Sequence, residues 1–219
     1  MIWWQIVLII IISYFMGNIS FSRFLAKTKN QDITKLGSGN AGSTNILRNF
    51  GFKYGVLNLA LDILKGFVPS FLAYKIFGDN LVYLYIAGIS VMLGHIYPVI
   101  FKFKGGKGIA SMLGVFVAAD PIVTLIVIAV AAVSWLLFKY GSVASFICVT
   151  TLTVYEGIKA KELANNEPKI VCALLFVIFC LTWYAHRSNI ERLLCGKESK
   201  VSLIKKTKKK LKEKSQQEQ

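Results

Sequence analysis

Residues 2–21, IWWQIVLIIIISYFMGNISF, are a stretch of 20 residues without a charge. At about 1.5 Å per residue such a run, wound as a helix, crosses a hydrocarbon core of about 30 Å. No basic residue precedes it, whereas Arg23, Lys27 and Lys29 follow closely. Lysine and arginine excess marks the cytoplasmic side of a membrane, so the run reads as a first span with its N-terminus outside. It lacks a basic leader and a small-residue cleavage site, so it is expected to stay uncleaved. Trp3 and Trp4 are then expected in the outer interfacial belt.

The same apolar character recurs along the chain. Runs at 54–77, 81–100, 109–119, 122–138, 142–155 and 170–184 bring the candidate spans to seven, or five if two of the short ones do not cross. Asp62 and Lys65 interrupt the second run, and Asp120-Pro121 separates the fourth from the fifth. Of the 219 residues, 55% are hydrophobic and only 17% are charged, with a mean hydropathy of +0.56. A water-soluble domain carries about 25% charged residues. The expected fold is therefore an all-α integral membrane protein, with residues 1–203 as one embedded domain and 204–219 as a basic, disordered cytoplasmic tail.

The net charge of +15 would suggest nucleic acid if it were spread over one surface. It is confined to residues 22–53 (+5), 101–107 (+3) and 186–219 (+7), and the rest of the chain is neutral. With the first span starting outside, either span count returns all three blocks to the cytoplasmic face. The charge reads as a topology signal beside anionic lipid rather than as a nucleic-acid footprint. Cys148, Cys172, Cys180 and Cys195 form no CxxC or Cys/His cluster, and no metal is expected.

The chemistry must then lie in three polar stretches between spans. The first, residues 36–48, is LGSGNAGSTNILR. Gly37, Gly39 and Gly42 permit close backbone approach to a ligand, and Ser38, Asn40, Ser43, Thr44 and Asn45 offer short donors. Arg48 offers a planar fork suited to phosphate. The spacing also fits GxGxxG, but no strand precedes it, as a dinucleotide site would require. The second, residues 94–108, is GHIYPVIFKFKGGKG. Here Pro98 should end a helix, and Lys104, Lys107, Gly105, Gly106 and Gly108 supply cations and exposed amides where the next one starts. His95 is a candidate base or a buried, satisfied histidine. The third, residues 186–198, is HRSNIERLLCGKE. His186 and Glu191 imitate an HxxxxD acyltransferase dyad, but five residues of helix separate them by about 140°, on poorly matched faces. Asp62 and Lys65, at i and i+3, are expected to form a structural ion pair.

These three stretches, in this order and with the DILKG of residues 62–66 between them, resemble the bacterial acyl-phosphate:glycerol-3-phosphate acyltransferases over residues 14–198. The resemblance implies transfer of a fatty acyl group from acyl phosphate to the 1-hydroxyl of glycerol 3-phosphate, giving lysophosphatidate and phosphate. It implies that Ser38, Arg48, His186 and Asn189 are essential, that Gly105, Gly106 and Gly108 serve glycerol-phosphate binding, and that Glu198 is structural. Ser188 departs from the family's usual glutamate, and Glu191 from a position that is commonly basic. The implied partners are the two substrates, membrane lipids and a soluble enzyme that makes acyl phosphate; no cofactor is implied. The implied location is the bacterial inner membrane, with the site on the cytoplasmic side. The alternative class is a small transporter for an anionic phosphorylated metabolite, in which the same loops would gate phosphate.

Single cysteines at positions 30, 104 and 205, placed one at a time in a protein without its native cysteines, should all resist an impermeant thiol reagent in intact cells. Labelling of any one of them would break the shared-face reading.

Overall fold

A computed structural model describes residues 3–162 and 167–200, and within them all regular structure is helical. Ten α-helices follow one another: α1 (Trp3–Asn18), α2 (Phe21–Lys27), α3 (Ser43–Phe50), α4 (Phe52–Ile76), α5 (Leu81–Ile96), α6 (Ile109–Ala119), α7 (Pro121–Phe138), α8 (Gly141–Glu162), α9 (Pro168–Ala185) and α10 (Arg187–Leu194). The basic tail expected over 204–219 lies outside the described residues.

Each of the seven apolar runs is helical. Among the described residues six helices, counting α1 with α2 and α5 with the turn after it, are long and apolar enough to cross a membrane. The fourth run is α6, whose 11 residues rise about 16 Å, half a hydrocarbon core. Two boundaries differ from the sequence pattern, for electrostatic reasons. Residues 159–162 look like linker but continue α8, because Lys159 reaches Asp120 Oδ2 at 2.7 Å, at the junction of α6 and α7. The first run breaks after Asn18, where the Ile19 carbonyl is taken by Lys65 Nζ at 2.7 Å. Asp120 ends α6 and caps α7 by accepting from the Val123 amide at 3.2 Å, and Pro121 supplies the first helical residue.

The bundle is organised around α5, which is buried on nearly every face, whereas α7 turns Ile122, Leu125, Ile126, Val130 and Val133 outward. Helices surrounded by lipid gain little from hydrophobicity when they pair, so close backbone contact at small residues takes over. Gly17 of α1 meets Gly94 of α5, where a Cβ on Gly94 would stand 2.1 Å from the Tyr14 carbonyl oxygen. On α4 and α6, a Cβ on Gly114 would stand 2.0 Å from the Ile63 carbonyl oxygen, and one on Gly66 2.0 Å from that of Ser111. These contacts join α1 to α5 and α4 to α6.

Glycine-to-alanine replacement inside a helix normally gains about 1 kcal/mol of helix propensity. At Gly114 the gain should reverse to a loss of about 1–3 kcal/mol, because the two helices must part. At Gly157 of α8 the nearest atom to a new Cβ is 3.9 Å away, so Gly157→Ala should be neutral or stabilising. Thermal unfolding of both variants in detergent reads the contrast.

Candidate active site

All three polar stretches meet at one end of the bundle, around a cavity of about 370 Å³. The first is a loop built on Asn45. Its buried Nδ2 donates to the carbonyls of Leu36 (2.9 Å), Asn40 (3.1 Å) and Ile33 (3.2 Å), while its Oδ1 accepts from the Ser38 amide at 3.2 Å. Gly37 (φ +55°) and Gly39 (φ +71°) make the left-handed turns that this wrapping requires. The loop then enters α3 through Gly42, so Ser43 and Thr44 stand at a helix N-terminus on the cavity wall. Arg48 lies farther along α3, half-buried, with Nη2 donating to the Ser199 carbonyl at 3.0 Å. Burial lowers its pKa from the usual arginine value, Glu198 raises it and Arg192 lowers it.

The second stretch folds back on the end of α5. The amides of Gly105 and Gly106 donate to the Ile96 and His95 carbonyls at 3.1 and 3.0 Å, capping α5. A Cβ would lie 2.0 Å from the His95 oxygen at Gly105, and 2.1 Å from His95 Nε2 at Gly106. Arg23 braces the same loop by donating to the Lys104 carbonyl at 2.7 Å and lying 4.5 Å from the centre of the Phe101 ring. Gly108, at φ +83°, starts α6 and brings a second helix N-terminus to the cavity. Lys107 projects beside it and donates to Asn189 Oδ1. Burial and the neighbouring Arg192 and Arg48, opposed by Glu198, lower the Lys107 pKa to about 8.

In the third stretch, Glu198 is the hub. Its Oε1 accepts from Asn189 Nδ2 at 2.7 Å and Ser142 Oγ at 3.1 Å, and its Oε2 from Arg192 Nε at 2.8 Å. Burial opposes its ionisation, but the bonds from Asn189 and Arg192 outweigh that and hold its pKa below the usual glutamate value. Buried His186 places Nδ1 2.9 Å from the Thr182 carbonyl oxygen. A carbonyl only accepts, so Nδ1 carries the proton and Nε2 is the bare nitrogen. Burial lowers the His186 pKa to about 4, so the ring is neutral near pH 7. Glu191 is exposed on α10 and does not share the cavity, so the HxxxxD lookalike has no geometric counterpart.

Under the cavity runs a polar seam. Asp62 Oδ1 and Lys65 Nζ pair at 2.8 Å, with both side chains 2% exposed, and His95 Nδ1 lies 3.7 Å from Asp62.

The cavity thus gathers Ser38, Asn40, Ser43, Thr44, Arg48, His95, Lys107, Gly108, His186 and Asn189. Asn45, Asp62 and Glu198 also border it, with their polar atoms engaged in bracing. Gly37, Gly39, Lys104, Gly105, Gly106 and Lys65 stand off the wall; Lys104 is exposed, and Gly105 and Gly106 serve the α5 cap. Sequence reasoning missed Arg192, Ser142 and Asn58. Only Asn58 carried a signal, a polar residue one helical turn before the buried Asp62.

A second, apolar groove of about 290 Å³ adjoins the first and shares Ser43, Thr44, Leu59, Ile109 and Ser145 with it. It runs between α3, α4, α6, α7 and α8 along Leu47, Val56, Leu113, Ile128 and Trp135. The combined site has one cationic, donor-rich end and one apolar end.

Comparison with known proteins agrees with this geometry. Residues 7–196 match the family described as glycerol-3-phosphate acyltransferase. The glycerol-3-phosphate acyltransferase of Aquifex aeolicus is 41% identical over 190 residues, covering 87% of this chain and 96% of that protein. That of Thermosipho melanesiensis is 40% identical over 195 residues, covering 89% and 92%. The crystal structure of PlsY (YgiH), an integral membrane glycerol 3-phosphate acyltransferase, in its glycerol 3-phosphate form matches with a TM-score of 0.82 at 39% identity, over 90% of this chain and 96% of that one. Its lysophosphatidic acid form matches with a TM-score of 0.80 at 39% identity, over 91% and 96%. With three motifs converging on one cavity and relatives aligned over nearly their whole length, this membrane-embedded chain belongs to the glycerol-3-phosphate acyltransferase family.

Proposed function

We propose that the protein transfers a fatty acyl group from an acyl phosphate to the 1-hydroxyl of glycerol 3-phosphate, at the cytoplasmic face of a bacterial cell membrane. The observation that carries this reading is the joined cavity. Arg48, Lys107 and the N-termini of α3 and α6 converge at one end, and an apolar groove between helices forms the other. Helix N-termini and a guanidinium suit phosphate, which both substrates carry. The groove suits the acyl chain, which would arrive from lipid. The small cationic end matches a bare phosphate head.

In the proposed reaction the glycerol hydroxyl oxygen bonds to the acyl carbon, and the carbon–oxygen bond to phosphate breaks. The hydroxyl proton passes to the departing phosphate, so lysophosphatidate and inorganic phosphate account for every atom. His186 is a poor candidate for a strong base, because its pKa of about 4 leaves it neutral and weakly basic. Its unprotonated Nε2 suits accepting a hydrogen bond from the hydroxyl and orienting it. Phosphate is a good leaving group, so positioning and charge stabilisation supply most of the acceleration.

Purified protein in detergent, given glycerol 3-phosphate with either palmitoyl phosphate or palmitoyl-CoA, should form lysophosphatidate and release phosphate only with the acyl phosphate. Comparable turnover with both donors would overturn the choice of donor. A pH profile gives a second check. Lys107 is charged below about 8 and neutral above it, whereas the substrate phosphate is fully ionised there. The KM for a phosphorylated substrate should therefore rise as pH passes 8, and Lys107→Arg, which keeps its charge, should flatten that rise.

A further inference from the structure

Asn58 belongs to no polar motif and does not line the cavity, yet it is fully buried in α4 and touches two groups that do. Its Nδ2 donates to Asp62 Oδ2 at 2.8 Å and to Ser43 Oγ at 2.8 Å. Asp62 is paired with Lys65 at 2.8 Å and so is a carboxylate, which only accepts. The Asn58 atom facing it must be the NH2 group, and both hydrogens of that group are then committed. Asn58 Oδ1, by contrast, finds no hydrogen-bond donor among the described residues, although it is buried. The orphaned acceptor accompanies two donations, to the buried Asp62 carboxylate and to Ser43, that leucine could not make.

The consequence falls on Ser43. Its oxygen accepts from Asn58, so its own hydrogen is turned away from α4. Ser43 is the first residue of α3 and stands on the cavity wall, where the free amides of the helix N-terminus also point. We propose that Asn58 is a positioning residue: it anchors Ser43 to the buried Asp62–Lys65 pair and fixes the Ser43 hydroxyl as a donor to a phosphate oxygen of a bound substrate. The seam beneath the cavity thereby sets the polarity of a group inside it. This rests on the acyltransferase reading above and adds to it a residue that acts only through another.

The test is a double-mutant cycle in the purified full chain, with Ser43→Ala, Asn58→Leu and the pair. For each, kcat and the KM for glycerol 3-phosphate and for palmitoyl phosphate are measured with the other substrate saturating, beside thermal unfolding. Each single variant should raise one of the two KM values about tenfold with kcat within about twofold, the loss of one hydrogen bond to a charged group. The KM that moves identifies which phosphate Ser43 serves. The pair should match Ser43→Ala alone, since Asn58 has nothing left to orient, and Asn58→Leu, which takes a donor from the buried Asp62, should unfold earlier than the parent yet stay folded at the assay temperature. Should leucine not fit, Asn58→Ala gives the same comparison without added bulk. Additive effects in the pair, or unchanged KM values in a folded Asn58 variant, would overturn the inference alone. A parent protein without acyl transfer would overturn the reaction and the inference with it.

Discussion

The structure depends on how two charges are housed inside an apolar helix. Asp62 and Lys65 lie in the middle of α4, and hydrocarbon does not tolerate either one unpaired. Pairing at i and i+3 satisfies only part of their hydrogen-bonding capacity, so the remainder recruits other elements. Lys65 takes the Ile19 carbonyl, where the first span breaks; Asp62 takes Asn58 and faces His95. Through Asn58 the pair reaches Ser43 at the start of α3. One electrostatic necessity thus ties α1, α3, α4 and α5 to a common point beneath the cavity. Removing one partner of such a pair costs about 3–5 kcal/mol, because the other charge is left stranded.

A second anchor stands across the cavity. Glu198 collects Asn189, Ser142 and Arg192, and Asn189 in turn holds Lys107. One carboxylate therefore joins the start of α8, the third stretch and the second stretch. It also offsets part of the repulsion among Arg48, Lys107 and Arg192, which share a small volume. The cavity stays cationic overall, as a phosphate site must, while its cations are held at set positions. The N-termini of α3 and α6 also border the cavity, bringing Ser43, Thr44 and Gly108 to it.

The two glycine-rich stretches do different mechanical work. In the first, Gly37 and Gly39 take left-handed conformations so that the chain can wrap around Asn45. In the second, Gly105 and Gly106 are needed for space, because the loop runs against the end of α5 and over the His95 ring. Their amides cap α5, and the glycine that borders the cavity is Gly108. A resemblance that assigns all three glycines to substrate binding is compatible with this only if Gly105 and Gly106 act by shaping the loop that carries Lys107.

By itself the sequence determined that the chain is a bundle of apolar helices, since runs of this length without charge have no other stable form in lipid. The placement of basic residues also determined that the three polar stretches share an end. Motif order sufficed to suggest the family, and short donors beside Arg48 and Lys107 sufficed to suggest phosphate. What the sequence left open depends on contacts between residues far apart in the chain. The extension of α8 to Glu162 follows from the Lys159–Asp120 pairing across two helices. That Asn45 braces a loop, that Gly105 and Gly106 cap a helix, and that Asn58 donates to Ser43 are facts of tertiary packing. A side chain's hydrogen-bonding capacity is legible in one dimension, but which partner uses it is decided only when the helices meet.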